Sequence, residues 1–150
     1  MASKKRGLKY FIMTGIIIVI AIVGVMWYVF TQKFTDTIKE KADFTLTALD
    51  LIKEFNANDK LANKKYAEKI IIVTGVVSEV ENADTTVNIK IADSTTGSYA
   101  IFAFQQQNLQ EAKTIKEGDK VSIKGSCSGG AYSQILETEF ITFKRCVLSK

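Results

Sequence analysis

Residues 10–32 contain no charged side chain, and that run restricts the chain more than anything else in it. Ile12, Ile16, Ile17, Ile18, Val19, Ile20, Ile22, Val23, Val25, Met26, Val29 and Phe30 fill most of the segment. A helix of about 20 apolar residues spans a hydrocarbon core of about 30 Å. Helices at the surface of water-soluble proteins keep a polar face, and this segment has none. Tyr10 opens it, and Trp27 and Tyr28 stand near its end, where amphipathic rings favour the headgroup layer. Lys4, Lys5, Arg6 and Lys9 precede it, so the positive-inside rule keeps the N-terminus in the cytoplasm and carries the rest across. A cleaved signal peptide would have a shorter apolar stretch and a small-residue cleavage site. Here Met26, Trp27, Tyr28, Val29 and Phe30 occupy that place. The expectation is an uncleaved single-pass anchor over 10–32, with a basic tail over 1–9, a polar linker over 33–44 and one domain over 45–150.

The tail also accounts for the net charge of +4. From residue 44 onward there are 13 basic and 13 acidic residues, and 31–43 holds three of each sign. A phosphate-binding surface begins with a basic footprint, and by total charge this domain lacks one. Histidine is absent, which removes the commonest general base and the commonest metal ligand. No phosphate-binding glycine loop, nucleophile elbow or zinc spacing is present. The residues point to no enzyme, no cofactor and no metal.

Beyond the anchor, Thr47 and Asp50 resemble a capping box. Leu49, Ile52 and Phe55 then recur at helical spacing, with Leu46 and Leu51 widening the face. A second short helix is expected from Asp59, as its cap, to Tyr66. Residues 69–80, rich in Ile and Val, read as one long strand bent at Gly75. Residues 86–92 alternate as a half-buried strand, and 98–104 form a third, with Tyr99 and Ile101 on one face and Phe102 and Phe104 in the core. Residues 105–114 suit a helix. A fourth strand covers 120–124, residues 125–130 read as loose, and a fifth strand or strand pair lies within 132–148. Three strands, a helix and two strands describe an OB-type five-stranded Greek-key barrel preceded by two short helices, a mainly β fold. An SH3-like barrel would not ordinarily carry a helix at that place.

Several ordered motifs bear on the same fold: Asn63-Lys64-Lys65-Tyr66, then Lys69-Ile70-Ile71-Ile72-Val73-Thr74-Gly75-Val76-Val77, then Ile115-Lys116-Glu117-Gly118-Asp119-Lys120-Val121, then Cys127-Ser128-Gly129, and finally Arg145-Cys146. Together they resemble the bacterial tRNA_anti-like OB-fold family, small membrane-anchored envelope proteins typical of Bacteroidetes. The resemblance covers roughly residues 45–150. It implies a bacterial inner-membrane protein with a periplasmic domain, and it implies no catalytic residue. The stretch between Cys127 and Cys146 is longer than the family pattern.

OB domains bind oligonucleotides and oligosaccharides across the second and third strands and adjoining loops. Tyr99 on the third strand and Tyr132 after the fourth are the candidate stacking rings. Lys90 and Lys124 are candidate flanking cations. The expected partner is an envelope protein or a glycan, with nucleic acid as the alternative. Cys127 and Cys146 would lie outside the cytoplasm, where thiols usually pair; a disulfide between them and two buried free thiols are both open. Glu79 with Glu81, and Glu137 with Glu139, form i, i+2 pairs expected to face solvent.

Overall fold

A computed structural model describes residues 14–27, 39–105 and 108–149. The chain divides into two compact units, Met1–Thr35 and Asp36–Lys150. In the first, residues 14–27 are helical throughout (α1) and every side chain is exposed. Among the described residues no helix is long and apolar enough to cross a membrane. The expected span 10–32 extends past both ends of α1. Its outer residues, the basic tail and residues 33–38 of the linker lie outside the described residues.

The second unit is a mainly β, OB-like sheet with a few helices. Its strands are β1 (Phe44–Thr47), β2 (Ile70–Val76), β3 (Glu79–Asn82), β4 (Thr86–Ala92), β5 (Tyr99–Gln105), β6 (Lys120–Ser133) and β7 (Thr138–Leu148). Between them lie α2 (Ala48–Ala57), α3 (Asp59–Tyr66) and the single turn α4 (Leu109–Ala112). The sheet order is β1-β2-β6-β7-β5-β4-β3.

The expected long first strand is present as two pieces. Gly75 lies where a side chain could not fit, since a Cβ there would stand 2.9 Å from Ile91 and 3.1 Å from Ala48. Pairing then changes partner at Val77 and Ser78. Val77 N donates to the Asp119 carbonyl beside β6, whereas Ser78 N donates to the Lys90 carbonyl on β4. β2 and β3 thus belong to opposite arms of the sheet order although only two residues separate them. Adjacent strands stand about 4.8 Å apart, so the sheet must curl for so short a link to join its arms.

The end of the expected linker, residues 43 and 44, joins 45–47 in the sheet. Asp43 N donates to the Ile70 carbonyl and Ile70 N donates to Asp43 Oδ2, which starts β1 parallel to β2. Thr47 caps α2 as expected, accepting from Asp50 N and donating to its carboxylate. The buried face of α2 is Ala48, Leu51, Ile52 and Phe55, an i, i+3, i+4, i+7 stripe, and Leu49 turns outward. The cap of α3 is Asn58 rather than Asp59: its Oδ1 accepts from Leu61 N at 3.0 Å. Tyr66 closes α3 against Phe44 and Phe55, with its hydroxyl donating to Glu54.

Residues 125–130, expected to be loose, run inside β6. The ladder to β7 survives because it slips at two places, between Lys124 and Ser126 and between Cys127 and Gly129. Bulges of this kind bend a strand without ending it. The core consists of inward residues including Ile71, Val73, Ile89, Phe102, Phe104, Ile123, Ile141 and Phe143, covered by α2 and α3, with Phe44, Leu46 and Val80 of β1 and β3 partly buried against it.

Candidate ligand-binding face

Strict alternation sets the outer face. On β4 the buried residues are Val87, Ile89 and Ile91, which turns Asn88, Lys90 and Ala92 outward. On β5, Ala100, Phe102 and Phe104 are buried, and Tyr99, Ile101 and Ala103 face outward. On β7, Glu139, Ile141 and Phe143 are buried and Phe140, Thr142 and Lys144 face outward. Strand register then lines these residues up in rungs. One rung is Glu79, Lys90, Ile101, Thr142 and Gly129; the next is Ala92, Tyr99, Phe140 and Ala131.

On the second rung the Tyr99 and Phe140 rings stack, 6.4 Å between centroids at 25°. Offset stacks of this separation are a favoured aromatic geometry. Lys90 Nζ stands 4.5 Å above the Tyr99 ring, within cation–π range. Its charge is met by Glu79 Oε2 at 3.2 Å. Both rings are half-buried and flanked by Ala92, Ala131 and Gly129. These half-exposed rings form an aromatic shelf, with one compensated cation over the Tyr99 ring.

Of the four expected site residues, the structure brings Tyr99 and Lys90 together. Lys124 lies on the other arm, between Ile72 and Val147, and donates to the Glu40 carbonyl. It is five residues before Gly129 on β6, about 16 Å along a strand. Tyr132 is part of β6, not of a loop, and opposes Glu139. Opposed residues share a face, so Tyr132 projects from the side of the hairpin opposite to Phe140. Phe140 is the residue that sequence reasoning missed, because an apolar residue defaults to the core. Its signal was parity: it alternates with Thr142 and Lys144 against Ile141 and Phe143.

The carboxylates divide. Glu79 and Glu81 are exposed as expected, but Glu139 is buried. Its backbone N donates to Ser98 Oγ, which donates to Asn56 Oδ1, and its own Oε2 has no partner. Burial raises its pKa, and the nearby negative charge of Asp59 raises it further. Among the described residues no cluster of three or more metal-binding side chains occurs.

Cys127 and Cys146 are both free and buried, so the disulfide considered from sequence is not formed. The register explains it. Cys127 opposes Phe143, and Cys146 lies opposite the bulge at Gly125. A cross-strand disulfide needs directly opposed Cα atoms, usually 4.4–6.8 Å apart. Burial pushes the Cys127 thiol up to about 11 and raises that of Cys146 as well, which removes the thiolate that nucleophilic chemistry requires.

No curated protein matches the chain by sequence. Among solved structures it is similar to a candidate nucleic acid-binding lipoprotein of Klebsiella pneumoniae, with TM-score 0.54 and 16% identity over 79% of this chain and 100% of that one. OBody AM3L09 bound to hen egg-white lysozyme gives TM-score 0.43 and 13% identity, over 56% of this chain and 84% of that one. Asparaginyl-tRNA synthetase from Pyrococcus horikoshii gives TM-score 0.36 and 14% identity, over 57% of this chain and 20% of that one. The lipoprotein shares the fold. The profile of the tRNA_anti-like family matches residues 4–139, and the chain belongs to that family.

Proposed function

We propose that this protein is a non-catalytic binding module. In this reading an OB barrel, closed through the Val77–Ser78 link, is held at a membrane by the apolar segment 10–32, with its domain outside the cytoplasm. The outer face of β4, β5 and β7 is the binding surface, and the ligand is a glycan of the cell envelope. One observation carries the site: the Tyr99–Phe140 stack with Lys90 over the Tyr99 ring. The exposed part of the two stacked rings offers apolar surface to the face of a sugar. The lysine is already paired with Glu79, and the domain carries equal numbers of acidic and basic residues. Such a surface suits an uncharged ring ligand better than a polyphosphate.

The exposed side chains of α1 support the anchor, because ten large apolar groups between Ile16 and Trp27 are 53–73% exposed. Apolar surface of that extent is stable in lipid and costly in water.

A second reading is single-stranded nucleic acid. It is favoured by the fold shared with the Klebsiella lipoprotein, described as a candidate nucleic acid-binder. Bases stack on exposed aromatics much as sugars do. The two separate by salt: binding of nucleic acid weakens steeply as salt rises, and binding of a neutral glycan does not. Full-length protein in detergent micelles, titrated with neutral cell-wall oligosaccharides and with oligo-dT at two salt concentrations, tests both. Saturable, salt-independent oligosaccharide binding is expected. Binding of oligo-dT alone, lost at high salt, would replace this reading with the second.

A further inference from the structure

The end of the β6–β7 hairpin carries two aliphatic side chains in its turn and Tyr132 on β6, all more than half exposed. Ile135 is 93% exposed, Leu136 60% and Tyr132 52%. Such turns ordinarily take Gly, Asn, Asp, Ser or Pro, each for a conformational reason. Gln134-Ile135-Leu136-Glu137 has none of them. Glu137 instead adopts φ 53, a region that favours glycine. Both branched side chains are left mostly exposed.

The surroundings narrow what covers them. No lysine or arginine occurs between Lys124 and Lys144, so the tip has nothing to hold a polyanion. The hairpin leading to the tip is paired through Tyr132 with Glu139 and Ser133 with Thr138, and Leu136 N donates to Ser133 Oγ. The paired backbone groups of the hairpin need no water. A tyrosine set beside two aliphatic residues matches the grading from headgroup to acyl chain. The chain also has a second apolar surface of comparable exposure, α1. A segment that requires lipid presents lipid to the tethered domain at millimolar effective concentration.

We infer that the β6–β7 tip is a second membrane contact, with Ile135 and Leu136 at the acyl boundary and Tyr132 at headgroup level. It rests on the anchor reading above. Because the tip has no basic residue, it needs no anionic lipid. Phe140 lies on the same hairpin, so this contact sets the aromatic shelf beside the lipid surface.

The test uses the full chain in phosphatidylcholine vesicles, in a Trp27→Phe background. A single tryptophan is placed at the tip (Ile135→Trp) or at the polar turn before β6 (Glu117→Trp), and vesicle flotation is scored for each. Brominated lipid should quench the tip tryptophan several-fold more than the one at position 117, with blue-shifted emission. A floating protein with equal quenching at both positions would overturn this inference and leave the anchor standing. A protein that fails to float would overturn both. Blue-shifted emission at 135 without lipid quenching would mean that protein covers the tip, and would also overturn it.

Discussion

Asn63 holds Gly130 by both of its backbone groups: Nδ2 donates to the Gly130 carbonyl at 2.8 Å, and Gly130 N donates to Oδ1 at 2.9 Å. This clamp ties α3 to β6 where β6 has just passed its second bulge. The glycines make it possible. A Cβ on Gly130 would lie 2.6 Å from the Phe55 ring, and one on Gly129 would lie 2.5 Å from Asn63 Oδ1. Gly129 also sits at φ 101, which a side chain rarely tolerates.

Asn63→Ala should therefore cost about 2 kcal/mol, the net worth of two hydrogen bonds of about 1 kcal/mol each. Gly130→Ala should cost at least as much, through collision with Phe55. Urea unfolding reads both as a lowered midpoint. An unchanged midpoint for Asn63→Ala would show that the clamp does not hold the helix to the sheet.

The two cysteines should behave as buried free thiols. Neither should react with a thiol reagent over minutes in the native protein, and both should titrate after denaturation without reductant. Desolvation is the cause, since it disfavours the thiolate. Denatured, unreduced protein with no titratable thiol would mean that the pair is bonded after all.

Glu139 should make stability depend on pH in a defined direction. Its folded pKa is raised above the usual value of 4.5 by burial and by Asp59. A raised carboxyl pKa means that the folded state prefers the proton. Its contribution is thus complete below about 4.5 and is lost as pH rises through the folded value. Glu139→Gln, which cannot ionise, should raise the melting temperature at pH 7 and leave it unchanged at pH 4. A gain of equal size at both pH values would assign the effect to packing instead.

Local pattern made part of this face readable in advance. Alternation alone set Lys90 and Tyr99 on the outside of β4 and β5, and Phe102 and Phe104 inside. The failures cluster where register depends on something distant. The two bulges in β6 shift which residues face which side, so Tyr132 could not be placed from parity, and Lys124 could not be assigned to its arm without the β2–β6 pairing. The glycines at 125, 129 and 130 read as a loop because their reasons, Cys146, Asn63 and Phe55, come from other elements. Glu139 read as exposed because the groups that bury it, at the α2–α3 corner near Asn56 and Asp59, lie some 80 residues earlier. β1 went unread because four residues are too few to show a period.

The central claim is that the Tyr99–Phe140 shelf binds a ring ligand. Calorimetric titration of full-length protein with a neutral cell-wall oligosaccharide, wild type against Tyr99→Ala, tests it most directly. Tyr99 lies on the outer face, so the variant keeps its core. Loss of one stacking ring is worth about 1–3 kcal/mol, and 1.4 kcal/mol is tenfold in affinity. Binding at least about fivefold weaker is expected for Tyr99→Ala, with cooperative unfolding kept and the melting temperature only slightly lowered by loss of the Phe140 stack. Equal affinity for the two proteins would contradict it.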